Sequence, residues 1–204
     1  REAISSAVEE KYGKSEQRLR KYEGIVSNLK FSEIIRIMQY KRRLEEILEN
    51  VSSGIFTLED AKDFIFIKNF IKRNKDIPWD FYKIFVTVRN EYLAKILAPS
   101  YSSVYATLII GLLAEASKPL SYKELKNKIQ VITREKFDRY SEYSFRTSLD
   151  ILISPKHTTR IPLVRERGIF NKKYMLTEKG KIVSILKHDE YNELRRSYDN
   201  LELD

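Results

Sequence analysis

Apolar residues recur at intervals of three or four along most of this chain, the spacing that gathers them on one face of an α-helix. Residues 1–23 are mostly charged, with a short stripe of Ala3, Ile4, Ala7 and Val8. They predict a frayed or partner-supported helix interrupted near Gly13 and ending near Gly24. Ser32 can cap the next helix, which runs to about Asn50 with Ile34, Ile37, Leu44, Leu48 and Val51 along one side. Lys41 stands where an apolar residue would continue that seam, and the spacing fits either packing inside a bundle or a short coiled coil. After the stop at 51–54, Thr57 caps a third helix containing Leu58, Ala61, Phe64, Ile65, Ile67, Phe70 and Ile71. So apolar a stretch belongs near the centre of an N-terminal bundle. Lys72, Arg73 and Lys75 then suit its carbonyl end, or make a second nucleic-acid contact. Asp76 is expected to cap a fourth helix, with Pro78 in its first turn and Trp79, Tyr82, Phe85, Val86, Tyr92, Leu93, Ile96 and Leu97 on its buried face.

The run Ala98-Pro99-Ser100 breaks the helical pattern, so a bundle over 1–99 is expected to give way to a second unit over 100–204. Ser102 or Ser103 opens an apolar helix through Val104, Leu108, Ile109, Leu112 and Leu113. Leu120 reads as a one-residue strand stub, and Ser121-Tyr122-Lys123-Glu124 fits a capping box for a helix with Leu125, Ile129 and Ile132 inside. Ser141 is expected to cap the next, which turns Phe145, Leu149, Leu152 and Ile153 inward and stops at Pro155. The period then changes. Residues 161–167 and 169–176 read as two strands around a turn at Gly168, and Thr177 caps a last helix. From Asp189 onward six acids face two bases, and Tyr191, Leu194, Tyr198 and Leu201 fit an extended helix that docks on the bundle or on a second subunit.

Charge sharpens this picture. Residues 156–187 carry nine Lys or Arg against two acids, an excess of +7 in a chain whose total is +9. A ribbon so basic, next to an acidic tail, points to a polyanion such as the DNA backbone. With 42% hydrophobic and 33% charged residues the chain is globular, and no apolar run approaches a bilayer-spanning length. The first residues do not look like a signal peptide, so a cytoplasmic protein is expected. The absence of cysteine excludes disulfides, thiolate metal sites and cysteine nucleophiles. Two distant histidines suggest no metal cage, the glycines form no phosphate loop, and neighbouring acids such as Glu45 and Glu46 diverge on a helix. The expectation is therefore a non-enzyme without cofactor or metal. Scarce glutamine with abundant Lys, Glu, Ile and Tyr resembles the composition of thermophile proteins.

The order helix, strand stub, helix, helix, two-stranded ribbon resembles the winged helix-turn-helix superfamily, and Tyr174-Met175-Leu176-Thr177-Glu178-Lys179-Gly180 resembles its tyrosine-x-leucine-threonine-x-x-glycine wing ending. The resemblance covers roughly residues 102–187. It implies a mainly α protein whose helical bundle precedes a winged helix with a two-stranded wing and a C-terminal helix. It also implies that the exposed side of residues 143–150 enters the major groove while the ribbon follows the adjacent backbone. Tyr143, Ser144, Arg146 and Thr147 are then the groove-facing candidates, with Arg146 able to fork onto a guanine edge or to pair with Asp150. Lys156, Arg160, Arg165, Arg167, Lys172 and Lys173 are the phosphate candidates. The long link before the third of these helices, and residues 154–160 ahead of the ribbon, depart from the compact bacterial repressor pattern. The expected function is duplex DNA binding in transcription regulation, replication or segregation, a range that includes the winged-helix initiators of archaea, with a homodimer or a protein partner on the N-terminal helices. The alternative is a protein scaffold that uses both parts as assembly surfaces.

Overall fold

The fold is taken from a computed structural model, which describes residues 31–74, 76–96, 103–134, 136–154 and 162–200 of the 204. In chain order the elements are α1 (Phe31–Ser52), α2 (Leu58–Arg73), α3 (Trp79–Lys95), α4 (Val104–Glu115), β1 (Leu120–Ser121), α5 (Tyr122–Thr133), α6 (Arg139–Ile153), β2 (Val164–Arg167), β3 (Lys173–Leu176), α7 (Glu178–Leu186) and α8 (His188–Asn200). The protein is mainly helical, with one three-stranded antiparallel sheet in the order β1-β3-β2. No helix among the described residues is long and apolar enough to cross a membrane. The helix expected over 1–23 and the break at 98–100 lie outside the described residues.

Helices α1 and α3 pack most extensively on each other. Ile37, Leu44, Ile47 and Val51 of α1 are buried with Phe81, Phe85, Val88 and Tyr92 of α3 in the same core. Each such side chain contributes roughly 1.5–3 kcal/mol on leaving water. Lys41 interrupts the α1 seam, and it is buried because its ammonium meets Asp80 at the start of α3. Burial raises the Asp80 carboxyl above its ordinary value, and its second oxygen finds no partner among the described residues. Arg43 holds Asp60 and Asp63 of α2, each at 2.7 Å, and Asn50 also donates to Asp60. A buried carboxylate is tolerable only with such company, and Asp60 is 2% exposed.

Two expectations about α3 change. Pro78, not Asp76, occupies the N-cap position, and no side chain caps the helix there. The buried stripe runs through Phe81, Phe85, Val88 and Tyr92, so Trp79, Tyr82 and Leu93 lie beside the seam and are exposed, Trp79 by 62%. The reason is register. Residues 81, 85, 88 and 92 also recur at helical spacing, and the pairing of Asp80 with Lys41 turns that face inward.

Helix α2 starts as expected at Thr57, whose hydroxyl accepts from the Asp60 amide at 3.0 Å. It does not occupy the middle of an N-terminal bundle. One side stacks Phe64 on Phe85 at 5.0 Å, and the helix also packs along α7, with Lys68 and Lys72 both reaching Asp189 at the start of α8. Lys72 therefore holds a carboxylate at the helix end where a dipole or nucleic-acid role was expected.

Helix α4 is buried continuously from Ala106 to Leu113 and is surrounded by α5, α6, α7, α8 and β3. Its start is set by Ser103, which accepts from the Ala106 amide. The capping box forms as predicted, with Ser121 accepting from the Glu124 amide at 3.2 Å and Glu124 accepting from the Ser121 amide at 2.7 Å. Helix α8 packs on α4, α5 and α7, and its Tyr191 is buried against α4, where its hydroxyl donates to Glu115 at 3.0 Å and burial pushes its phenol up to about 12. The tail is thus a separate helix folded back over the C-terminal part, touching α2 through Asp189.

Candidate nucleic-acid interface

Helix α6 begins at Arg139, two residues before the expected cap, because Asp138 takes the N-cap position and accepts from the Ser141 amide at 2.7 Å. Phe145, Leu149 and Leu152 turn inward, joined by Ser148, whose hydroxyl lies 3.0 Å from that of Ser103. Ser148 is therefore occupied inside. On the outer side Tyr143 is 68% exposed, Arg146 and Asp150 are exposed, and Ser144 and Thr147 are half-buried. Glu142 is tied back to α5. It accepts from Tyr122 at 2.6 Å and pairs with Lys126, and these two contacts hold its carboxyl below the usual range.

The hairpin of β2 and β3 is rooted at its base. Val164 and Leu176 are cross-strand partners and both are buried. The Leu163 amide donates to Leu152 of α6 at 2.9 Å, and the Thr177 amide donates to Leu163 at 3.0 Å. The Thr177 hydroxyl donates to Pro162 at 2.9 Å and accepts from the Gly180 amide at 3.0 Å. A Cβ at Gly180 would lie 2.0 Å from the Leu163 carbonyl oxygen, so only glycine lets α7 approach this closely. The Thr177-Glu178-Lys179-Gly180 run thus has a local physical cause: a cap and a close approach that lock the hairpin to the core.

Register sorts the basic residues. Directly opposed residues in an antiparallel pair project from the same face. Arg165 opposes Met175, and Arg167 opposes Lys173, so these four share the face turned away from the core, continuing through Ser121 on β1. Glu166, Tyr174, Val164, Leu176 and Leu120 share the other. At the far end of that inner face Lys172 pairs with Glu166 at 3.0 Å, and that hydrogen bond raises the Lys172 ammonium above its ordinary value. Burial raises the Tyr174 phenol, and the charges of Glu166, Lys172, Asp150 and Arg146 also act on it. Charges of both signs, from α6 and from the hairpin, therefore surround Tyr174.

The outer face differs. Among the described residues Arg165 and Arg167 have no carboxylate partner, and two cations, Arg167 and Lys173, stand directly across from each other. Like charges in that arrangement destabilise a hairpin. Lys173 and Lys118 lie near enough to Glu124 to help hold its carboxyl below the usual range, after the Ser121 hydrogen bonds that dominate. The cationic strip thus runs from Arg165 through Arg167 and Lys173 toward Lys118. Lys156 and Arg160 lie outside the described residues.

The turn was read too short. Strand β3 starts at Lys173 rather than at 169, and Gly168 at φ +90° opens a loop over 168–172 that presents Ile169 and Phe170 to solvent, 84% and 97% exposed. The signal was available in Gly168 and Asn171, two turn-forming residues bracketing the pair. The described residues hold no group of three or more His, Asp or Glu placed to bind a metal. A cleft of about 430 Å³ between α2, α4, α7 and α8, lined by Ile65, Thr107, Gly111, Lys187 and Tyr191, involves none of the hairpin residues. Comparison with models of known families, with curated proteins and with solved structures finds no match for this chain.

Proposed function

We propose that this protein binds duplex DNA through a winged helix formed by residues 103–187, in which α6 is the recognition helix and the β2–β3 hairpin is the wing. The observation that carries the reading is the outer hairpin face, where Arg165, Arg167 and Lys173 converge and two of them oppose each other. A phosphate placed between them turns a repulsion into two charge-assisted contacts. Arg146 and Tyr143 on α6 are the base-reading candidates, with Ser144 and Thr147 at their margin, while Lys172 is held by Glu166 and must exchange that partner to reach a phosphate. Transcription regulation, replication and segregation all draw on such a module.

An electrophoretic shift on a mixed-sequence duplex tests this. The full chain is expected to shift the duplex at low salt, and replacing Arg165, Arg167, Lys172 and Lys173 together by alanine is expected to weaken binding on every sequence. No shift even at low salt overturns the proposal.

A second reading, a protein assembly surface, is favoured by one observation on the N-terminal helices. Trp79, Tyr82 and Leu93 are exposed on α3, as are Met38 on α1 and Phe66 on α2. Apolar surface of this kind suits a protein partner or a second copy of the chain. Sedimentation that gives a monomer at high concentration removes the homodimer.

A further inference from the structure

Phe170 is 97% exposed and Ile169 is 84% exposed, and both sit at the tip of a hairpin whose base is fixed in the core. Loop tips are ordinarily polar, because an exposed aromatic ring is poorly hydrated and invites association. This tip is also held in shape. Gly168 takes a left-handed conformation at φ +90°, and a Cβ there would lie 2.8 Å from the Asn171 carbonyl oxygen, so the loop closes tightly beneath the two apolar residues. Directly behind them, Arg167 and Lys173 form the last cross-strand pair before the loop, and Lys172 flanks it on the other face.

An apolar tip above a collar of cations has the two halves needed to enter a base step. The collar meets the phosphates on either side of a minor groove, and the ring takes the place of a neighbouring base in the stack. The groove is about 6 Å wide, which admits the tip of a two-stranded turn only if the duplex widens there. We infer that Phe170, supported by Ile169, is a wedge that inserts between base pairs from the minor groove and kinks the duplex. The inference rests on the duplex-binding reading above and adds a deformation to it. Sequence preference then comes partly from flexible pyrimidine–purine steps, which unstack most readily, and not only from Arg146.

The test uses the full chain, a mixed-sequence duplex containing 2-aminopurine at successive steps, and the same duplex labelled at both ends for energy transfer. Wild type is expected to raise 2-aminopurine fluorescence at one step and to shorten the end-to-end distance. Phe170→Ala is expected to abolish both signals and to weaken binding by about tenfold, from the lost burial of the ring. Its salt dependence stays that of wild type, because no phosphate contact is removed, and Phe170→Leu restores part of the fluorescence rise. The ring is solvent-exposed, so the fold is expected to be unaffected, as circular dichroism will verify. If wild type binds the duplex with no fluorescence rise, or Phe170→Ala leaves the rise intact, the wedge is overturned while duplex binding stands. If wild type does not bind the duplex at low salt, both readings fall. Binding to phosphatidylserine vesicles that depends on Phe170, with no unstacking of the duplex, overturns the wedge in favour of a lipid-directed tip.

Discussion

In the N-terminal helices Lys41 meets Asp80, and Arg43 meets both Asp60 and Asp63, whereas on the outer face of the hairpin Arg165 and Arg167 meet no carboxylate among the described residues and Arg167 stands opposite another cation. Apolar residues do not divide in the same way. Tyr92 and Phe85 are buried on α3, but Trp79 beside them is exposed, and so is Phe170 at the hairpin tip. The difference teaches where to look for function in a mainly helical protein. A cation with its partner inside the fold supports the fold. A cation placed against its own kind, on a hairpin anchored firmly enough to hold it there, is available to something outside.

The comparison breaks first at Asp60. Asp60→Ala removes the partner of Arg43 and Asn50 from a buried position and is expected to cost about 3 kcal/mol in urea unfolding. A loss below about 0.5 kcal/mol, the range of ordinary surface substitutions, means that the paired charges do not support the fold. Gly180→Ala is next. The added methyl meets the Leu163 carbonyl, and overpacking of this kind costs roughly 1–3 kcal/mol. Duplex binding is expected to suffer with it, because α7 and the hairpin share that contact.

A smaller effect sharpens the contrast. Arg167→Glu creates an opposite-charge pair with Lys173 and is expected to stabilise the fold by about 0.2–1 kcal/mol while weakening duplex binding. Weakened folding, or unchanged binding, contradicts the account of that face. The smallest effect is at Asp189, whose contacts with Lys68 and then Lys72 depress its folded carboxyl below the ordinary 3.8. A depressed acid stabilises the fold fully above its unfolded value, and that stabilisation is lost as the pH falls through the folded one. Asp189→Asn is therefore expected to lower stability slightly at neutral pH and to flatten the acid side of the stability profile. Side chains this exposed in an ion pair contribute under about 1 kcal/mol.

Much of the local structure was legible because it is written in adjacent residues. Thr57 with Asp60, Ser121 with Glu124, and Thr177 with Gly180 each form the cap that their spacing predicts. Leu120 forms the strand stub, and Phe145, Leu149 and Leu152 are buried as expected. The caps expected at Asp76 and Ser141 and the turn after Gly168 were local misreadings, whereas the larger misplacements depended on distant partners. On α3 and at its C-cap, Phe85, Tyr92 and Ile96 are buried as expected, but Phe81 and Val88 take the core places expected for Trp79 and Leu93, and Lys41, far away on α1, helps to decide between them. The position of α2 against α7, and the folding back of α8 with Tyr191 against Glu115 and Gly111 of α4, depend on contacts between residues far apart in the chain. For the candidate site, the basic residues could be counted from sequence, but their division between two faces of the hairpin depends on the register of Arg167 against Lys173.

The salt dependence of duplex binding isolates Arg165 and Arg167, which have no carboxylate partner among the described residues. For wild type, the logarithm of the binding constant is expected to fall linearly with the logarithm of salt concentration. Arg165→Ala combined with Arg167→Ala is expected to reduce that slope by about 1.8, close to 0.9 for each phosphate contact removed. An equal slope for the two proteins contradicts the assignment of the outer hairpin face to the DNA backbone.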